Sequence, residues 1–248
     1  MGAAFARPAG PLRSPGWVVV VLLGALVTGS PAQAEGWKAG TARVVITPKQ
    51  SMWMAGYGAR TKPSEGVLHD LWAKALVLSD PSGQQTLLIT MDLCGIDRGI
   101  SNSVRDTLKS RFGLDRDRIA LASSHTHTGP VVGDNLITMY PLDEEQAKRV
   151  RDYTAFLTSA LVNVASEALR SLEPVDLAWG TGRCDFAVNR RNNKEPDVPR
   201  LRNELALEGP NDFDVPVLRV RAAGGKLKAI VYGYSCHCTV LSFYKFTG

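Results

Sequence analysis

The chain has 248 residues, 44% of them hydrophobic, a formal charge of +5, four histidines and four cysteines. That charge is too mild to point to nucleic acid as a partner, and four cysteines are too few for a disulfide-dense scaffold. The length suffices for one sizeable core.

Residues 1–34 read as a signal peptide, outside the fold. Arg7 and Arg13 make a basic start, and "WVVVVLLGALV" (17–27) is an apolar stretch too short for a comfortable membrane span. "PAQA" offers a cleavage site between Ala34 and Glu35. An uncleaved N-terminal anchor is the alternative. No cysteine follows the apolar stretch, which argues against a lipoprotein. Cleavage leaves residues 35–248 and lowers the formal charge to +3. The expected location is therefore exported, either secreted or periplasmic.

Along the remaining chain, "TARVVITP" (41–48) alternates and stops at proline, as a strand does. "SMWMAGYGARTKPSEG" (51–66) is a long loop rich in glycine, methionine and aromatics. "HDLWAKALVLSD" (69–80) and "QQTLLITMDL" (84–93) read as two strands joined at "DPSG", the second apolar enough to be buried on both faces. "GISNSVRDTLKSRFG" (99–113) has a Ser-Asn start and a glycine stop, which predicts a helix, and "DRIALAS" (117–123) a further strand. In 142–174, Val150, Tyr153, Leu157, Leu161, Val164 and Ala168 share one helical face, with acids at the start and a proline at the end. "VDLAWGTG" and "VPVLRVRAAGGKLKAIVYGYS" follow, the latter reading as a hairpin turning at Ala-Gly-Gly. The order predicts an α/β (mixed α+β) domain with one buried mixed sheet, flanking helices and one long amphipathic helix near 143–172.

Two of the four histidines stand in "SSHTHTGP" (123–130). In an extended chain residues i and i+2 point to one side, so His125 and His127 would project together from a strand end. Neutral imidazole is a good zinc ligand, and a second imidazole beside it can be a ligand or a proton carrier. Two surface histidines in a polar loop are the other reading. A metallo-β-lactamase-like site would want an Asp and a further His close by, and an amidohydrolase barrel more histidines downstream than His237 alone. His237 ends the apolar run "KAIVYGYSCHC", so a second strand-end histidine raises the prospect of a shared metal. Cys236 and Cys238 flank it, but a C-x-C without a second pair is a weak zinc signal. Cys94 lies in an apolar run and reads as a buried, inert thiol. Asp92 is either a partner of a metal-bound histidine or a strand-end cap, and His69 a pocket wall.

"ASSHTHTGP" followed by "GYSCHCTVLS" resembles the N-terminal domain of neutral (alkaline, non-lysosomal) ceramidases. "AGTARVVITP", "MAGYGAR", "GVLHDLWAKALVL" and "VNRRN" (188–192) resemble further segments of that family, in order over about residues 38–248. The resemblance implies a zinc (Zn2+) amidase cleaving N-acyl-sphingosine-like lipids to fatty acid and amine. It also implies zinc ligands at His125 and His237, a catalytic imidazole at His127 beside the metal, and a substrate contact at Arg190. Arg191 stands where the family has serine, and Cys236 and Cys238 stand where its larger members have an aliphatic residue and proline. The expected partner is a lipid amide, which leaves contact with a membrane surface and the oligomeric state open. The resemblance puts two more ligands, a Glu and a Tyr, downstream of this chain. The accompanying expectation is that residues 35–248 alone bind zinc weakly, aggregate and release no measurable amine. The alternatives are a secreted metal- or lipid-binding domain without turnover, and a zinc hydrolase of another amide or ester.

Overall fold

The computed structural model describes residues 36–239, 241 and 245–248. The signal peptide and its cleavage site lie outside the described residues. The elements run β1 (Lys38–Val45), β2 (Trp72–Ser79), β3 (Gln85–Met91), α1 (Arg98–Phe112), β4 (Ile119–Ser123), α2 (Glu144–Arg170), β5 (Glu173–Arg183), α3 (Val198–Asn203), β6 (Asp214–Ala222) and β7 (Leu227–Tyr232). The seven strands form one mixed sheet in the order β4-β3-β2-β1-β5-β6-β7. β3 and β4 are parallel and α1 is their crossover, while the other neighbouring pairs are antiparallel.

One face of the sheet meets the helices. Ala73, Ala75 and Val77 of β2 sit opposite Met91, Ile89 and Leu87 of β3, and all six are buried. Because directly paired residues share a face, this row is a continuous apolar surface. The α2 stripe covers it: Val150, Tyr153, Leu157, Leu161, Val164 and Ala168 are all buried, as their spacing predicts. Tyr153 is buried to its phenol, which donates to the Ile46 carbonyl at 2.6 Å, and burial holds its pKa above the ordinary tyrosine value. On α1, Ile100, Val104 and Leu108 pack into the same core. The opposite face carries a smaller cluster of Ala39, Leu76, Val175 and Val220. There Thr86 is exposed and Leu88 and Thr90 are only half-buried, so the expected burial of β3 on both faces is found on one face alone.

Several local expectations are corrected. The N-cap of α1 is Asp97, before the Ser-Asn pair, and its Oδ1 accepts from the Ile100 N–H at 2.8 Å. Gly113 does close α1, in the left-handed conformation. α2 ends at Arg170 with Ser171 as its cap, and Pro174 lies inside β5 rather than stopping the helix. The hairpin expected at Ala-Gly-Gly is β6–β7, with the Gly225 N–H donating to the Ala222 carbonyl at 2.8 Å. β7 ends at Tyr232, so His237 stands beyond the strand in an irregular segment. No helix of the described residues is long and apolar enough to cross a membrane.

Candidate metal centre

β3 and β4 run side by side and stop together, with Met91 opposite Ser123. The chains leaving their carboxyl ends build one wall of a site, the usual place for a crevice in an open sheet. From β3 comes Leu93-Cys94, buried beneath the turn. From β4 comes the histidine pair. Ser124 still donates to the Met91 carbonyl at 2.9 Å, and then His125 turns into the left-handed region at φ 59°. A non-glycine residue there is uncommon and carries strain that its surroundings must hold. The extended i, i+2 geometry expected for the pair is therefore absent. His125 and His127 converge through a turn, with ring centroids 5.1 Å apart.

The loop 51–66 forms a second wall. Ala55 N–H donates to the Gly129 carbonyl at 2.9 Å, Val131 N–H to the Trp53 carbonyl at 2.8 Å, and Met54 bridges Pro130. This lays Gly56 directly against the His127 ring. A Cβ on Gly56 would stand 2.3 Å from His127 Cγ, and Gly56 has φ 100°, so this position takes glycine for two reasons. The Gly56 N–H donates to the Tyr140 hydroxyl at 2.9 Å. Tyr57 meets the His127 ring edge-on at 4.6 Å, and Arg60 Nη2 donates to the His127 carbonyl at 2.8 Å. His127 is thus 6% exposed, held by packing on its ring and by a cation on its backbone.

His237 supplies the third imidazole. Its Nε2 lies 3.0 Å from His127 Nε2, and its ring centroid lies 4.9 Å from those of both His125 and His127. Burial, with the neighbouring His237, His125 and Arg60 charges behind it, lowers the His127 pKa to about 4. Burial and His125 lower that of His237. Both imidazoles are neutral near pH 7, the form that binds metal. The sign for stability follows. Unfolded His127 takes up a proton near its ordinary value of 6.5, folded His127 only near 4. The metal-free fold should be at full stability above pH 6.5 and lose about 2–3 kcal/mol as pH falls to about 4. Urea midpoints between pH 7.5 and 4, wild type beside His127→Gln, check this; the wild type should fall more steeply through that window.

The donor set suits a cation. Cys94 Sγ and one ring nitrogen each of His125 and His127 lie within 4.8 Å of one another. The His125 Nδ1–H donates to the Cys94 carbonyl at 2.6 Å, which leaves its Nε2 bare. His127 Nδ1 is buried with no hydrogen-bond partner among the described residues. Either tautomer of the His127–His237 contact leaves that nitrogen unsatisfied, at about 1–3 kcal/mol. A buried ring nitrogen left without a partner calls for an explanation, and a bound ligand is one.

The other expected residues lie elsewhere. Arg190 is half-exposed and pairs with Glu195 at 2.7 Å, with no contact to the imidazoles. Asp92 caps a strand, its Oδ2 accepting from the Trp72 N–H at 2.9 Å. His69 is exposed, its ring against the Asp70 carbonyl. Among the described residues, the Cys236 and Cys238 thiols lie against the His237 and Cys236 carbonyls of their own segment. The sequence reading takes Cys94 as inert and gives no role to Gly56, Tyr57, Arg60 or Tyr140. Only "GYGAR", with an aromatic between two glycines and a cation just after them, carries a local signal.

The chain matches the family model described as neutral/alkaline non-lysosomal ceramidase, N-terminal, over residues 37–245. It is 25% identical over 227 residues to the neutral ceramidase of Pseudomonas aeruginosa, covering 88% of this chain and 32% of that protein. Neutral ceramidase B of Dictyostelium discoideum is 23% identical over 194 residues, covering 76% of this chain and 26% of that protein. The chain thus spans about a third or less of these curated relatives. The crystal structure of the Pseudomonas aeruginosa neutral ceramidase superposes with a TM-score of 0.68 at 21% identity, over 86% of this chain and 34% of that one. At that identity the likeness speaks for the fold, and the sequence match speaks for the lineage. With the histidines of "SSHTHTGP" and "SCHC" meeting at one place on that fold, the chain belongs to the neutral/alkaline non-lysosomal ceramidase family, as an N-terminal domain.

Proposed function

We propose that this domain carries the metal centre of a zinc-dependent amide hydrolase of the neutral ceramidase type. Its substrate class is N-acyl-sphingosine-like lipids. Water and the amide give a fatty acid and a free amine. The observation that carries the proposal is the convergence of the His125, His127 and His237 rings, their centroids 4.9–5.1 Å apart, with 3.0 Å between His127 Nε2 and His237 Nε2.

His125 and His237 are the proposed zinc ligands, and His127 the proposed base. Bound there, zinc supplies Lewis acidity, which offsets the poor electrophilicity of an amide and eases the loss of a proton from water. His127 is neutral, buried and clamped, so it can accept that proton and return it to the leaving nitrogen. Negative charge developing on the carbonyl oxygen raises the His127 pKa from its resting value while the proton is held. Arg190 is the proposed substrate contact. A half-exposed ion pair such as Arg190–Glu195 is worth about 0–1 kcal/mol, so exchanging Glu195 for a substrate hydroxyl costs little. Export, carried by the apolar N-terminal stretch, would bring the site to lipid outside the cytoplasm.

The test is free amine released from N-acylsphingosine by catalytically active protein that carries this domain, with zinc removed and restored, in wild type and His125→Ala. The proposal expects release that follows the zinc and a loss of at least about 100-fold in the variant. Bound zinc without release from any amide points to a metal-binding domain, and release from other amides or esters alone to a different hydrolase.

A further inference from the structure

Arg60 is 8% exposed, in the loop that faces the histidines, and burying a guanidinium is costly unless its donors are used. The loop does not need it for attachment. Ala55 N–H on the Gly129 carbonyl, Val131 N–H on the Trp53 carbonyl and the Met54–Pro130 bridge already tie the loop to the chain beyond β4. A cation here therefore calls for another reason, and two contacts supply one. Arg60 Nη2 donates to the His127 carbonyl at 2.8 Å, and the guanidinium carbon lies over the Tyr57 ring, 5.4 Å from its centroid. Tyr57 in turn meets the His127 imidazole edge to face, with 4.6 Å between centroids and 72° between planes. Arg60, Tyr57 and His127 thus close a circuit. One cation holds the backbone of His127 directly and its ring through Tyr57.

We propose that Arg60 is the positioning residue of His127, setting both where the imidazole stands and which way its plane faces. The inference rests on the reading of His127 as the base and deepens it. The carbonyl contact pins the peptide from which the side chain springs, and a hydrogen bond from an ionised donor is about twice as strong as a neutral one. That peptide follows the left-handed His125, in a turn that no strand ladder holds. The cation over the Tyr57 face holds that ring at its angle, and a ring so held resists rotation of the imidazole against it. A base has to stand within about 2.6–3.2 Å of the proton it takes, so a displacement near 1 Å removes it from the reaction. Lysine can donate to a carbonyl but is a point charge. The planar guanidinium both donates and stacks, which accounts for arginine at this position.

The test uses catalytically active protein that carries this domain, loaded with zinc, with N-acylsphingosine as substrate. Arg60→Met should lose about 100-fold in kcat, keep its zinc and hold KM within about threefold. Arg60→Lys, which restores the carbonyl donor, should recover about tenfold of that loss. The deciding readout is Arg60→Met made in a His127→Ala background. A residue that acts through His127 has nothing left to position there, so the residual rate should change by less than about threefold. A residue that only supports the fold would cost the same factor in both backgrounds. Equal losses in the two backgrounds, zinc lost along with the rate, or a kcat unchanged by Arg60→Met overturn the inference. If Arg60→Met does not fold, Tyr57→Leu breaks the second contact alone and gives the same comparison; no loss, or equal loss in both backgrounds, overturns it. A His127→Ala rate equal to wild type removes the base reading and this inference together, whereas a loss in His127→Ala with Arg60→Met unaffected removes this inference alone.

Discussion

Gly40→Ala is expected to unfold the domain or bring it close to unfolding. Gly40 lies within β1, opposite Val77 of β2, on the face that meets α2. A Cβ there would sit 1.9 Å from the Ala168 carbonyl oxygen and 3.0 Å from its carbon. Both are helix backbone, so no rotamer relieves the clash. Relief means lifting the end of α2 from the sheet, which opens the row packed by Leu161, Val164 and Ala168. Overpacking that moves backbone costs about 1–3 kcal/mol, and the lost burial of a helix turn adds a similar amount. Against a total of about 5–15 kcal/mol, that is most of the stability of a marginal domain. Urea unfolding followed by circular dichroism gives the answer. A variant within about 0.5 kcal/mol of wild type would mean that α2 does not rest on β1 this closely.

Gly56→Ala should have the largest effect on activity at a modest cost in stability. The added methyl meets the His127 ring at Cγ, Nδ1 and Cδ2, all within 2.7 Å, and the ring must swing away. A displacement near 1 Å in a reacting group costs on the order of 100-fold in rate. The substitution also places alanine at φ 100°, which is strained wherever it occurs. Gly83→Ala is the control, since Gly83 has φ 85° and nothing within 4 Å of the would-be Cβ. Both variants carry comparable backbone strain, and only Gly56→Ala should lose activity. Equal activities in the two would show that the Gly56 contact does not position His127.

What was legible in the sequence divides along physical lines. The α2 face could be read because helix burial repeats at a fixed spacing, and six predicted positions are buried. "SHTHTGP" drew notice because imidazoles are scarce in this chain and metal-ligand chemistry favours them close together. Its geometry was misjudged, because the extended-chain argument does not survive a left-handed His125. His237 was placed at a strand end, yet β7 ends at Tyr232, five residues earlier. The apolar run carries no mark of where the ladder stops. Cys94 was read as inert because its neighbours are apolar, and its meeting with His125, 31 residues away, is a tertiary contact that no local pattern encodes. The same holds for Tyr140, which holds Gly56 from 84 residues away.

The most direct test of the account measures zinc content and amine release together, on catalytically active protein, for wild type, His127→Ala and His125→Ala. The account predicts that His127→Ala keeps most of its zinc and loses about 100- to 10,000-fold in rate, the range of a general base. It predicts that His125→Ala loses the zinc and the rate together. Zinc loss in His127→Ala equal to that in His125→Ala, or a rate unchanged by His127→Ala, would contradict it.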